Sequence, residues 1–413
     1  MSASPGNSAP AEATVAPLPT PYTRFADSTL WSSQREYYER KGMAAWAQAQ
    51  VPHYVTCNPS MAHAFVTMVL GLWRDIKRQG LSTDQPLYII ELGAGSGRFA
   101  YHFLVQFFEA FDTLRSAGDK VVYVMTDFAA GTVEQWQQDT HHKLKPYIDQ
   151  GRLDFAIFDA EADSSLQLLH HNIALAPHTL VLPPLVIANY VFSALRQDLF
   201  FLDKDRIYEG WLSLEESTNA HTGNGDQADE DADHPFRSLR LAYQKRRVEK
   251  LTHPDPAWCQ LIEHYAQILP PCALLVPTSA MGALERLRNL HGGNMLLLSA
   301  DRGTHECEAL ARQQEPHIAR HGSFSLPVNY HAMAAIMRTQ GARCWASPHD
   351  DNLAILAARW PAARNMGSDA PQPWPETALA AQQALQQYSP NDFYQIKRAL
   401  ESDTEHLSAE HML

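Results

Sequence analysis

Residues 87–104 read LYIIELGAGSGRFAYHFL, a stretch whose residue types suit ligand binding more than bond making. Four apolar residues run into Glu91, and Gly93, Gly95 and Gly97 follow at alternate positions before a helical pattern begins. A bare backbone between strand and helix lets a ligand touch the main chain, and the helix start offers free N–H groups to polar or anionic atoms. Two more acids end apolar runs downstream: Asp127 in VVYVMTDF (121–128) and Asp159 in LDFAIFDA (153–160). Each alone reads equally well as a helix cap. A fourth run, TLVLPPLVIANYVF (179–192), carries Asn189 and Tyr190 near its end. Open parallel sheets hold their ligands at the C-terminal ends of such strands.

The elements that must position these residues follow from the same runs. Continuously apolar strands separated by helical segments predict a parallel sheet covered on both faces. MLLLSADRG (295–303) is the fifth such strand, and the segment from His331 to Trp360 predicts a helix and then an antiparallel strand pair that closes the sheet. DLFFLDKDRIYEGWLSL (198–214) alternates and turns at Asp203-Lys204-Asp205, an antiparallel hairpin leaving that sheet. The basic YQKRRVEK (243–250) reads as a solvated helix face, and SAMGALERLRNL as a helix capped near Thr278 or Ser279. The expected organisation is a disordered lead (1–22), a helical cap (23–80), the main domain (81–365) with an insertion (198–290) bearing a mobile acidic loop (215–234), and a helical tail (366–413). Trp31, Tyr37, Tyr38, Trp46 and Tyr54 of the cap form either a lid or a packed helical layer.

Spacing separates the ligands. The dinucleotide fingerprint G-x-G-x-x-G needs a third glycine where this sequence has Arg98, and Asp127 lies too far on to be its ribose acid. A nicotinamide-dependent oxidoreductase is thereby disfavoured. E-L-G-x-G-x-G instead resembles the first motif of the class I S-adenosyl-L-methionine-dependent methyltransferases. That resemblance implies a Rossmann-like α/β fold, mostly parallel with an antiparallel terminal strand. It implies cofactor contacts from Glu91 (methionine amino group), Gly93, Ala94, Gly95 and Gly97, from Asp127 and Phe128 (ribose and beyond), and from Asp159 and Ala160 (adenine). Asn189 belongs to the same set, and Asn189 with Tyr190 would face the acceptor.

Residues 50–360 resemble one branch more closely, the MidA-like family, associated with protein arginine methylation and mitochondrial complex I assembly. The matching segments are VPHYVTCNPSMAHAF, VIANYVFSAL, LSADRG, and HGSFSLPVNYHAM followed by GARCW. Where that family carries acids, this chain has Tyr190, Ser193, Ser323 and Asn329, its His is Pro327, and an aspartate falls at Asp301. A guanidinium needs carboxylates to orient it, so the resemblance implies the cofactor and leaves the acceptor open between protein side chain and small molecule. The alternative is a catalytically inactive member kept as an assembly or interaction factor.

Composition bounds the partners. The chain has 413 residues and a formal net charge of −13. Seven acids without a Lys or Arg fall in residues 213–236, and four more in the tail from Glu401, leaving the rest close to neutral. Nothing resembles a phosphate-backbone footprint, so nucleic acid is not expected as a partner. The 5 cysteines show no CxxC spacing, there is no HExxH, and the pairs His141-His142 and His170-His171 stand in polar text, so no metal is expected. Without a secretory signal or a long apolar span, a cytoplasmic protein is the expectation, with no membrane partner and with S-adenosylmethionine and its demethylated product as ligands.

Overall fold

The computed structural model describes residues 21–47, 55–81, 85–138, 141–216, 239–316, 318–321, 323–348, 353–361, 374–387 and 396. The expected disordered lead up to residue 20, the acidic loop from residue 217, Tyr54, and all of the tail beyond 387 except residue 396 lie outside them.

Helix α1 (Thr29–Lys41) starts at Ser28, whose hydroxyl accepts the Leu30 N–H, and stops at Gly42 with φ +51°. Helix α2 (Pro59–Arg78) is capped by Asn58, which accepts the Met61 N–H, and has proline in its first turn, where no N–H is missed. The alternating part then runs β1 (Leu87–Leu92), α3 (Arg98–Leu114), β2 (Val121–Asp127), α4 (Ala130–Gln138), α5 (His141–Asp149), β3 (Leu153–Ile157) and β4 (Leu185–Asn189). The excursion follows as β5 (Asp198–Asp203), β6 (Arg206–Glu216), β7 (Leu239–Arg247), α6 (Pro256–Ile268) and β8 (Cys272–Val276). Among the described residues there follow α7 (Thr278–Asn289), β9 (Met295–Asp301), α8 (Tyr330–Thr339), β10 (Arg343–Ala346), β11 (Ala354–Trp360) and α9 (Pro375–Gln387).

Seven strands form the main sheet in the order β10-β11-β9-β4-β1-β2-β3. β1 pairs parallel with both β2 and β4, β9 is parallel to β4, and β11 runs antiparallel beside β9. Chain progress reverses between β1 and β4, and a cleft opens there at the strands' C-terminal ends. This is the mostly parallel, Rossmann-like α/β sheet, closed by an antiparallel strand pair, expected from the sequence. One face is covered by α2 and α3, where Phe103, Phe107 and Phe111 stack at successive turns with ring centroids 5.4 and 5.3 Å apart. The other is covered by α6, α7 and α8.

A second, antiparallel sheet holds β8, β5 and β6, with Thr23–Arg24 and β7 also paired to β6. The hairpin expected at 198–214 is its β5–β6 pair, turning through Lys204 and Asp205 at φ +45° and +66°. The basic segment is not a helix face. β7 runs to Arg247, with Lys245 lying 4.4 Å over the Phe201 ring and Arg246 3.3 Å over Trp211, so cationic heads cover aromatic faces of the sheet. Thr278 is likewise not a cap: it is the first residue of α7, and its hydroxyl donates to Asp198. α1 packs on this second sheet, with Leu30, Trp31 and Tyr37 clustered with its Leu199, Phe201 and Leu275 and with Phe324 from a separate strand pair.

α9 rests on α2 at close range. A side chain on Gly71 would meet Ala380 Cβ and Glu376 O at 2.8 Å, and fully buried Asp75 accepts the Thr377 N–H, the Thr377 hydroxyl and the Glu376 N–H. Among the described residues no helix is long and apolar enough to cross a membrane.

Candidate active site

The cleft at the switch point is floored by the turn after β1. Gly93, Gly95 and Gly97 stand at φ +57°, +53° and +70°, a conformation that side chains strain against, so the alternate glycines are a backbone requirement. The turn is fastened from below: the Ala94 N–H donates to Thr126 O, and Trp136 Nε1 donates to Gly95 O at 2.8 Å.

Of the residues singled out in the sequence, Glu91, Gly93, Ala94, Gly95, Asp127, Phe128, Asp159, Ala160, Asn189 and Tyr190 all line one cleft. Gly97 does not. It caps α3 in the left-handed region, and a Cβ there would press on Met125 Cε at 3.0 Å.

The acids differ in state. Glu91 is buried and accepts the Tyr123 hydroxyl at 2.9 Å. Burial lifts its carboxyl to about 8, with the Tyr123 bond opposing and the Asp127 charge adding. Burial lifts Asp127 to about 6 against backbone N–H groups of Ala129, Gly95 and Phe128. Asp159 accepts the Glu161 N–H at 2.9 Å and a two-pronged contact from Arg35 at 3.3 and 2.8 Å. It is thus both a local turn cap and a group facing the cleft.

Asn189 is the last residue of β4, and both its side-chain Nδ2 and Oδ1 are buried without a partner. A buried amide that donates and accepts to nothing in the protein fits a polar ligand group at that point. Tyr190 has φ +54°, rare for an aromatic residue, and its N–H donates to Ala300 O.

The sequence reading missed most of the roof. Trp31, Gln34, Arg35 and Tyr38 of α1 line the cleft, with Trp46, Thr56 and Cys57 from the segment that follows. Tyr38 and Trp46 stack 5.7 Å apart, and Trp46 lies on the glycine turn, 2.9 Å from where a Gly95 Cβ would stand. Of the five aromatics posed as lid or layer, Trp31, Tyr38 and Trp46 reach the cleft, whereas Tyr37 is core. The front wall is Val191, Ala194, Leu195 and Arg196, with Arg196 bound to Glu161 at 2.9 Å. Asp301 stays out of the lining: fully buried, it accepts the N–H groups of Ser193 and Arg302, and burial lifts it to about 7. Among the described residues no three His, Cys, Asp or Glu side chains gather as a metal site. His171 is instead tied to buried Asp154 at 2.5 Å.

A switch-point cleft with a glycine turn and acids on successive strand ends, on this strand order, defines a class I methyltransferase fold. The family model described as "Putative S-adenosyl-L-methionine-dependent methyltransferase" matches residues 66–284, over half of the chain, and the chain belongs to that family. It is a methyltransferase, with S-adenosylmethionine as its cofactor. Solved structures similar to it include a COG1565 superfamily member from Burkholderia thailandensis bound to S-adenosyl-homocysteine. That match has 12% identity and a TM-score of 0.49, covering 89% of this chain and 85% of that one. A second COG1565 superfamily protein from Burkholderia thailandensis has 11% identity and a TM-score of 0.47, with 85% and 91% covered. Magnesium protoporphyrin IX methyltransferase from Synechocystis PCC 6803, with bound cofactor, has 10% identity and a TM-score of 0.34, with 80% and 97% covered. No curated protein matches the chain.

Proposed function

We propose that this methyltransferase, a divergent MidA-like enzyme, methylates an uncharged acceptor at the Asn189–Tyr190 end of the cleft. The observation that carries this reading is the unpartnered buried amide of Asn189 beside the glycine turn. In this reading Glu91 receives the cofactor's amino group, Gly93, Ala94 and Gly95 meet its methionine and ribose portion, and Asp127 with Phe128 takes the ribose. Gly97 acts indirectly, holding the turn and the start of α3, while Asp159 and Ala160 take the adenine. When bound, the cofactor supplies an electrophilic methyl on a sulfonium with a good leaving group.

The protein's tasks are then alignment and proton handling. Asn189 has one donor face and one acceptor face with which to hold both the cofactor and an acceptor hydroxyl or amine. Tyr190, fixed by its strained backbone, shapes the acceptor slot. An arginine acceptor fits poorly. Asp159 and Glu161 are already paired with Arg35 and Arg196, Glu91 is deep, and Asp301 is turned away from the cleft. Trp31, Gln34, Tyr38, Val191 and Leu195 line the same cleft as Tyr190; in this reading they form the acceptor end, which leaves a guanidinium without a carboxylate.

Isothermal titration with S-adenosylmethionine and S-adenosylhomocysteine, with NAD as control, tests the cofactor site. Gly95→Arg should abolish binding, because φ +53° and the Trp46 contact leave no room for a side chain. Unchanged binding by that variant would sink the assignment. A screen of hydroxyl, amine and guanidinium acceptors tests the second half, and arginine methylation would overturn it.

A further inference from the structure

Arg35 stands between two walls of the cleft. Its Nη1 and Nη2 lie 3.3 and 2.8 Å from the two oxygens of Asp159, and its Cζ lies 4.4 Å from the centre of the Phe128 ring. Asp159 is the residue to which the reading above assigns the adenine amino group, and Phe128, assigned with Asp127 to the ribose, is an aromatic ring lining the same cleft. A planar guanidinium and a planar amino-bearing base ask for the same things: a ring to lie on and a carboxylate to donate to. With the Glu161 N–H also on Oδ1, the Asp159 carboxylate has little accepting capacity left for a base.

We propose that the Arg35 side chain is a built-in competitor for the adenine end of the cofactor site, swinging out of the cleft when the cofactor binds. The proposal rests on the assignment of Asp159 to adenine made above. The motion is that of the side chain, because α1 itself is held along its length. Trp31 Nε1 donates to Phe25 O, Gln34 Nε2 donates to Phe324 O at 2.7 Å, and Tyr37 is buried in the core. Past the stop of α1 at Gly42 the Met43 N–H donates to Gln135 Oε1 at 3.2 Å, and Trp46 lies on Gly95. The Arg35 side chain is 32% exposed, so on release it passes directly into water.

The test uses the full chain, with S-adenosylhomocysteine as probe, by calorimetry and stopped-flow tryptophan fluorescence. Arg35→Ala should bind up to about fivefold tighter, the range expected for losing a part-exposed ion pair that opposes binding, and the gain should come from faster association. Arg35→Met, which keeps the stem over Phe128, should show the same direction. Asp159→Ala should erase the effect of either substitution. Equal or weaker binding by both Arg35 variants would overturn the competitor role and make Arg35 a bystander or a support for Asp159. Asp127→Asn separates the two ideas. If it weakens binding while the Arg35 variants do not tighten it, only the competitor role fails. If it leaves binding untouched, the cofactor assignment falls, and this proposal with it.

Discussion

Glu91 shows what a single buried carboxyl can report. Its ordinary value of 4.5 is raised to about 8, so at pH 7 the ligand-free protein holds it mainly protonated. An ammonium brought against it favours the carboxylate, so cofactor binding at pH 7 should expel about one proton from this group. The release should fade as pH rises past 8, where the proton is already gone. Titrating S-adenosylhomocysteine in buffers of different ionisation enthalpy measures it, and Glu91→Gln should remove the release and weaken binding. Release that persists in Glu91→Gln would place the titrating group elsewhere. At this scale the sequence was legible where chemistry dictates residue type. The glycines, the strand-end acids and Asn189 follow from position in a known kind of turn and strand. Arg35 was not legible, because nothing local to a part-buried helical arginine says that its partner lies 124 residues away.

At the scale of elements, legibility tracked whether one face or two were buried. The five parallel strands are buried almost throughout and read as largely apolar runs, Asp154 of β3 aside. β7 hid its nature because Lys245 and Arg246 lay their charged ends over Phe201 and Trp211, which breaks the polar and apolar alternation expected of an edge strand. α9 gives a prediction that belongs here. Its first turn is capped from another helix by Asp75, which is fully buried and accepts three hydrogen bonds. Asp75→Ala should cost about 2 kcal/mol, the loss of a cap together with donors left unpaired. Hydrogen exchange should rise across 375–387 while the strands stay protected. Gly71→Val should produce the same local loosening by contact with Ala380 and Glu376. Uniform exchange across the molecule in either variant would mean that α9 is part of one cooperative unit with the sheet.

For the whole molecule, three carboxyls near the cleft carry raised values, each with burial as the first cause: Glu91 at about 8, Asp301 at about 7 and Asp127 at about 6. Each favours the folded state while protonated, a contribution present below its unfolded value near 4 and lost as pH climbs through the folded one. The ligand-free protein should therefore resist urea better at pH 5.5 than at pH 8, opposite to a protein whose carboxylates are held by cations. Asp301→Asn should flatten the upper part of that slope. An equal urea midpoint at both pH values would show that these groups ionise freely in the folded chain.

The excursion carrying the second sheet leaves the body at Asp198 and returns at Val276, and those two residues are cross-strand partners. The Thr278 hydroxyl ties the return point to Asp198 at 2.6 Å. Departure and rejoining thus share one doorway. A segment hung this way can be lengthened, trimmed or exchanged over evolutionary time without shifting the register of any strand that carries a cleft residue. Because α1 leans on that segment, such changes reach the roof of the cleft and leave its floor alone. Cofactor use can be inherited unchanged while the fit of what arrives from above is free to diverge.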